Sequence, residues 1–228
     1  MHGPRGPDGR LDRPPSVRTP AARFAACGNR TSALAEPFVH ESATVEDGAS
    51  LGDDTKVWAN SQIRPGAHVG AGCNIGRNVF IDVDVVVGDH VKVQNNASLF
   101  EGVTLEDGVF VGPHVIFTND RVPRAVTPSG RLKDGDDWEL GRTVVRRGAA
   151  LGAGAVVVTG VEIGAWSMVG SGAVVTRDVP AHALVVGNPA RVVGWVTAGG
   201  EKCDSQREAE ARTADEIAVD GADGDAEQ

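Results

Sequence analysis

The sequence predicts an all-β fold, a coil of short parallel strands wound three to a turn, and three observations predict it. An aliphatic residue recurs at every sixth position over most of the chain, and a small or β-branched residue follows each one four positions later. The composition is the third observation: 228 residues hold 30 Gly but only six Phe, four Trp and no Tyr. A period of six belongs neither to one helix nor to a plain hairpin stack, whereas a short strand followed by a tight, glycine-bearing turn satisfies it. Three such units close a triangular coil whose narrow interior admits small and branched side chains.

Taken in order, residues 1–35 carry six Arg against two Asp among Pro and Gly, and bury too little apolar surface to offset the entropy of ordering. They are predicted to be a disordered tail. The first run of hexads begins next, with Val39, Val45, Leu51, Val57, Ile63, Val69, Ile75, Ile81, Val87, Val93, Leu99, Leu105, Val111 and Phe117 pointing inward. Residues 118–142 break the frame with Pro, Gly and mixed charge, and an insertion of that length in a compact domain is usually functional or disordered. Trp138 inside it suits stacking on a nucleotide base, docking on a neighbouring subunit or simple anchoring. The frame resumes at Val145, Leu151, Val157, Ile163, Val169 and Val175. Twenty hexads make about 6.7 coils, a prism on the order of 30 Å long within a domain spanning 36–197. Residues 198–228 are the acidic end, ten acids against three bases from 201 onward, predicted to be disordered apart from a short helix near 204–218.

Charge and cysteine usage exclude several classes. The formal net charge is −9 and the body between the tails is itself negative, which disfavours nucleic acid, whose backbone is bound by neutralising cations. No run approaches the roughly 18 apolar residues of a membrane span, and the Arg- and Pro-broken start is unlike a secretory signal, so a cytoplasmic location is expected. Cys27, Cys73 and Cys203 have no CxxC spacing, giving neither a disulfide framework nor a zinc site. Cys73 falls at an inward small position and reads as core filler.

Residues 18 apart stack one strand spacing from each other, which groups outward side chains without any coordinates. Asn60, Asn78, Asn96 and His114 form one ladder, as amide-bonded stacked coils do. Glu101 lies directly beneath Asn119 where the insertion departs, and a carboxylate beside a carboxamide suits an amine, which donates to both. Nucleophile elbow, P-loop and dinucleotide fingerprints are missing, which favours direct attack on an acyl donor over an acyl-enzyme. His114, near Asn119 and the loop base, is the candidate side-chain base, with a solvated turn histidine as the alternative.

The hexads LGDDTK, VGAGCN, IGRNVF, LGAGAV and VGSGAV resemble those of the hexapeptide-repeat acyltransferases. That resemblance implies a left-handed parallel β-helix, and handedness comes from it alone, since parallel crossovers in general favour the right hand. The runs VQNNASLFEGVTLEDGVFVGPHVIFTNDRVPR, GAALGAGAVVVTGVEIG and VGSGAVVTRDVPAHALVVGNPARVVGW are similar to the nucleotide-sugar N-acetyltransferases that acetylate the 3-amino group of UDP- or dTDP-linked sugars, over about Val39 to Trp195. The resemblance implies a homotrimer with active sites between adjacent prisms and acetyl-CoA along the later coils. It implies that Asn119 contacts the acceptor amine and that the thioester sulfur takes the proton, which leaves His114 auxiliary. Gln94, Asn95, Asn96, Glu101 and Arg124 are the candidate residues for the sugar nucleotide. For the CoA phosphates the concentrated cations are Arg146, Arg147 and Arg191, and the backbone near Ala153 and Ser171 in LGAGA and VGSGA is open to the pantetheine arm. The chain departs from the family in reading Trp58-Ala59-Asn60 where Trp-His-Phe is expected, and His182 where Tyr is frequent.

Three other readings stay open: an acetyltransferase for another acceptor such as serine or a 4-amino sugar, a zinc carbonic-anhydrase-like trimer, and a non-catalytic scaffold. No two of His40, His68, His90, His114 and His182 are 18 apart, which disfavours metal.

Overall fold

The computed structural model describes residues 35–224. The tail expected at 1–35 therefore lies, but for its last residue, outside the described residues, as do 225–228.

The described chain is a parallel β-helix of three faces. Face one runs from Phe38–Val39 to Ala183–Val186, face two from Thr44–Val45 to Val174–Val175, and face three from Ser50–Leu51 to Glu162–Ile163. Each of the twenty predicted hexad positions is the last residue of a strand. The register is 18, as in Lys92↔Phe110 and Ser98↔Ile116, so each coil stacks on the one before. From Val57 to Val175 these inward residues are no more than 1% exposed, while Val39, on the first described strand, is 39% exposed. Cys73 is buried with them, and burial pushes its thiol up, away from reactivity.

The corners explain the glycines and the outward Asn, Asp and His residues. Each corner needs one residue in the left-handed region, and Asn60, Asn78, Asn96 and His114 take it at φ of 59°, 55°, 63° and 59°. Asn tolerates that region better than most residues with a side chain. The glycine that follows some of the inward aliphatics, as Gly112 follows Val111, has a different cause. A Cβ on Gly112 would stand 2.7 Å from the Leu151 carbonyl oxygen of the next coil.

The insertion changes the register from 18 to 40, as in Leu105↔Val145 and Phe117↔Val157, and leaves between faces two and three. It has structure of its own. Antiparallel bridges Asp120↔Leu140 and Val126↔Leu132 make it a hairpin-like excursion, and Arg131 ties Asp134 and Asp137 at 3.2 and 2.7 Å.

The coil runs further than the hexads predict, to about eight turns, because the last stacking step, Met168↔Leu184, is 16 residues and so escapes a six-residue count. His182, buried at that corner, lies 3.0 Å through Nδ1 from the Val196 carbonyl and ties the last coil to the strand Arg191–Val196.

The segment after 197, expected to be disordered apart from a short helix, is ordered through the described residues. Arg191–Val196 folds back antiparallel on Ala183–Val186, Lys202–Cys203 adds to it, and a helix runs Gln206–Gly224. Ser205 Oγ accepts from Glu208 N at 3.2 Å while Glu208 accepts from Asp204 N at 3.0 Å, a reciprocal cap at the helix start. Ala209 and Thr213 are buried, and Thr213 Oγ1 accepts the Ala198 amide at 2.8 Å. Composition counted the acids and missed this inward side.

Candidate functional site

Outward side chains collect at the three corners, and the predicted residues divide among them. The corner between faces one and two carries Asn60, Asn78, Asn96 and His114 in one line that Gly154 and Gly172 continue, with Ala153 and Ser171 one residue before them. Backbone bonds from His114 N to Asn95 O, Gly154 N to Pro113 O and Gly172 N to Ala153 O run along that line. Asn78 Nδ2 donates to Asn96 Oδ1 at 2.9 Å, and Asn96 Nδ2 lies 3.3 Å from His114 Nε2. With Asn96 donating, Nε2 is the unprotonated nitrogen and Nδ1 carries the proton, so the ladder orients the ring and selects its tautomer. Further up, Gly154 and Gly172 sit at φ of 69° and 70° with no atom within 4 Å of a Cβ built on either. Beside them Ala153 and Ser171 are exposed, so the backbone of this stretch is open to its surroundings.

The corner between faces two and three carries Glu101 and Asn119. The register Ser98↔Ile116, Leu99↔Phe117 extends to place them on adjacent rungs. The Asn119 carbonyl accepts from Gly141 N at 3.0 Å, closing the base of the insertion. Glu101 is half-buried, and burial raises its carboxyl above the usual carboxylate range, reinforced by Asp82 and Asp84 and opposed by Arg142. One rung above, Thr159 Oγ1 is buried with no hydrogen-bond partner among the described residues, and a methyl on Gly141 would collide with it.

His114 and Asn119 are thus at opposite ends of face two, with Ile116–Phe117 between them. Five residues of strand span up to roughly 16 Å, so the two side chains of one chain do not converge on one reacting bond.

Other candidates are committed to the coil itself. Asn95 Oδ1 accepts the Arg77 amide at 2.9 Å, a turn contact repeated by Asp89 with Ala71 and Asp107 with Asp89. Gln94 is half-buried at the start of that turn. Arg146 and Arg147 lie at the third corner, away from Ala153 and Ser171. Arg146 is clamped between Glu106 at 2.8 Å and Glu162 at 2.7 Å, which raises its pKa further, and Arg147 lies 5.8 Å over the Trp166 ring. Arg191, on the terminal strand, donates to the Ala190 carbonyl at 2.8 Å. Arg124 is exposed and bonded to the Pro123 carbonyl.

The clamp on Arg146 yields a prediction. Its side chain is 39% exposed, so each ion pair contributes at most about 1 kcal/mol. Arg146→Ala should lower the melting temperature by about 2–4 °C, a change that thermal denaturation checks.

Sequence reasoning missed the cleft within the insertion, about 400 Å³, lined by Asp120, Arg121, Lys133, Asp136, Trp138 and Glu139 among others. It also missed Phe80 and Phe100, whose rings are 5.6 Å apart beside Glu101. Phenylalanines 20 apart carry no signal unless the corner geometry is known. Among the described residues no group of His, Cys, Asp and Glu is placed to hold a metal ion, and no helix is long and apolar enough to cross a membrane.

Residues 38–82 match the model of the bacterial transferase hexapeptide (six repeats), and 66–101 and 147–177 match the hexapeptide repeat of succinyl-transferase. The matched segments are hexapeptide repeats. This hexapeptide-repeat chain is 56% identical over 57 residues to the dTDP-3-amino-3,6-dideoxy-alpha-D-galactopyranose 3-N-acetyltransferase of Aneurinibacillus thermoaerophilus, covering 25% of this chain and 30% of the relative. It is 33% identical over 119 residues to the serine acetyltransferase of Escherichia coli K12, covering 51% and 42%. The hexapeptide-repeat chain thus spans less than half the length of these curated relatives. Among solved structures, a mutant GDP-perosamine N-acetyltransferase from Caulobacter crescentus in complex with CoA and GDP-perosamine is 24% identical, with 71% of this chain and 58% of that one covered at a TM-score of 0.45.

Proposed function

We propose that the protein is an acetyl-CoA-dependent N-acetyltransferase for the amino group of a UDP- or dTDP-linked amino sugar. The observation that carries this reading is the 56% identity to a dTDP-3-amino sugar 3-N-acetyltransferase, well above the 33% to serine acetyltransferase. The corner geometry supports it. Glu101 and Asn119 offer acceptor oxygens to an amine at the loop base, and the open stretch along Ala153 and Ser171 offers backbone to a thioester arm.

In this mechanism the amine nitrogen attacks the thioester carbon, the carbon–sulfur bond breaks, and the amine proton leaves to the departing thiolate, with His114, whose Nε2 already accepts from Asn96, auxiliary. Positioning supplies most of the gain, because both reactants are held before the chemistry begins. The cleft holding Trp138 is the candidate place for the nucleotide base, whose face suits an indole.

His114 and the open stretch stand at one corner, Glu101 and Asn119 at the next, and in this reading the reactants meet where one prism packs against another. A homotrimer with three shared sites is the consequence. Light scattering should give three times the chain mass, and a monomer that retains full turnover would end the shared-site reading.

Serine acetylation is the second reading, favoured by the 119 residues aligned at 33%. The deciding experiment incubates the protein with acetyl-CoA and, separately, serine and UDP- or dTDP-linked 3-amino and 4-amino sugars, monitoring free thiol. Release confined to serine would replace the sugar reading.

A further inference from the structure

The ladder at the corner between faces one and two has a direction, and it ends in a proton. Asn78 Nδ2 donates to Asn96 Oδ1 at 2.9 Å, so that oxygen is engaged and the Asn96 amide nitrogen is the atom that faces His114 Nε2, at 3.3 Å. An amide NH2 only donates. Nε2 therefore carries no proton, and the one proton of the neutral ring sits on Nδ1. The two nitrogens of an imidazole point to nearly opposite sides of the ring, and Asn96 is one rung below His114 by the register Ser98↔Ile116. The Nδ1–H is thus turned toward the rung above, which the register Ile116↔Val156 assigns to Gly154.

That rung is where the ladder stops. Gly154 and Gly172 take the left-handed corner position that Asn60, Asn78 and Asn96 hold below. The conformation alone does not demand glycine, since asparagine adopts it three times on the same line. Crowding does not demand it either, because no atom lies within 4 Å of a Cβ built on either glycine. The glycines leave space above the ring, and among the described residues Nδ1 has no hydrogen-bond partner in it. His182 is the contrast. It takes the same left-handed conformation at another corner, at φ of 63°, but its Nδ1 lies 3.0 Å from the Val196 carbonyl and is committed to the fold.

We infer that His114 is a hydrogen-bond donor to the acyl group, its Nδ1–H meeting the thioester carbonyl oxygen as negative charge collects there, rather than a base. This rests on the proposed acetyl transfer, whichever acceptor is used. As the amine nitrogen bonds to the acyl carbon, a carbonyl electron pair moves onto oxygen and the imidazole holds it there. When that pair returns, the carbon–sulfur bond breaks and the amine proton passes to the thiolate. The ring starts and finishes neutral with its proton on Nδ1. A donor fixed in place before the reaction stabilises the developing charge without reorganising, and the ladder is what fixes it. A base at Nε2 would first have to give up the Asn96 bond.

Asparagine separates the two roles, because its Nδ2 is attached to Cγ as the histidine Nδ1 is, and it donates without being able to take up a proton. The test uses the full chain, acetyl-CoA and a dTDP-linked 3-amino sugar, with free thiol monitored; if serine proves to be the acceptor, the same series is read with serine. His114→Ala should lower kcat about fivefold with KM for both substrates unchanged, a modest loss because water partly replaces a donor at an exposed corner. His114→Gly keeps the left-handed backbone if the alanine variant does not fold, and should give the same loss. His114→Asn should return kcat to within about twofold of wild type. Nitrogen-15 NMR of the free protein in mildly alkaline buffer should show the proton of His114 on Nδ1. A proton on Nε2, wild-type kcat in His114→Ala, or an asparagine variant as slow as the alanine one overturns the donor role while the transfer reading stands. No thiol release from wild-type protein with either acceptor removes the transfer reading and the donor role with it.

Discussion

Asn119→Ala should lower kcat for the amino-sugar acceptor at least tenfold while leaving the melting temperature unchanged, a loss of about 1.4 kcal/mol or more in the barrier step. The main-chain contact that closes the insertion, from Gly141 N to Asn119 O, does not involve the side chain, so the substitution removes a carboxamide and spares the base of the loop. His114→Ala should cost less, because the departing thiolate takes the proton in its place. Steady-state rates with both substrates varied separate the two variants. Wild-type kinetics in Asn119→Ala would take that residue out of the site, and complete loss of activity in His114→Ala would reverse their order.

Glu101→Gln should make the protein more stable and a poorer catalyst at once. Burial, with Asp82 and Asp84, raises the Glu101 carboxyl in the folded chain, so the native state holds this proton more tightly than the unfolded one. Its ionised form therefore costs native stability above the raised pKa, and that cost disappears as pH falls through it. Glutamine carries no such cost, and its melting temperature should exceed that of wild type at neutral pH, with the difference vanishing in acid. The catalytic sign is opposite. Only the carboxylate accepts two hydrogen bonds from the amine and attracts it when charged, so kcat/KM for the acceptor should fall as pH drops through a value above the ordinary carboxylate range. In Glu101→Gln that acid limb should vanish and KM for the acceptor should rise at least tenfold at neutral pH. Functional groups held at a cost in stability are a recurrent feature of active sites. Scanning calorimetry and pH–rate profiles read the two halves separately, and a variant less stable than wild type at neutral pH would contradict the burial argument.

Most of the fold was legible because a coil of this kind interacts only with its nearest neighbours. The period placed every one of the twenty strands from Phe38–Val39 to Val174–Val175, and the stacking interval of 18 found both the Asn78–Asn96–His114 ladder and the rung of Glu101 beneath Asn119 before any coordinates. It failed where the interval itself changed. The 16-residue step to Leu184 hid the last turn, whereas the short helix expected near 204–218 is present and longer, running Gln206–Gly224.

The candidate site was less legible, because a residue type does not reveal which of several partners it takes. Arg146 and Asn95 have the chemistry for phosphate and sugar, yet Glu106 and Glu162 engage the one and the Arg77 amide the other. Phe80 and Phe100 have no motif, and their pairing exists only because a corner turns one ring onto the other.

By itself, then, the amino-acid order determined the winding, the aliphatic interior and the place where the chain leaves the prism, since those depend on spacing along one dimension. Only the tertiary structure decided which outward groups share a corner and which are already engaged. Hydrogen bonds and ion pairs are satisfied once, and that choice is made by direction and distance between coils.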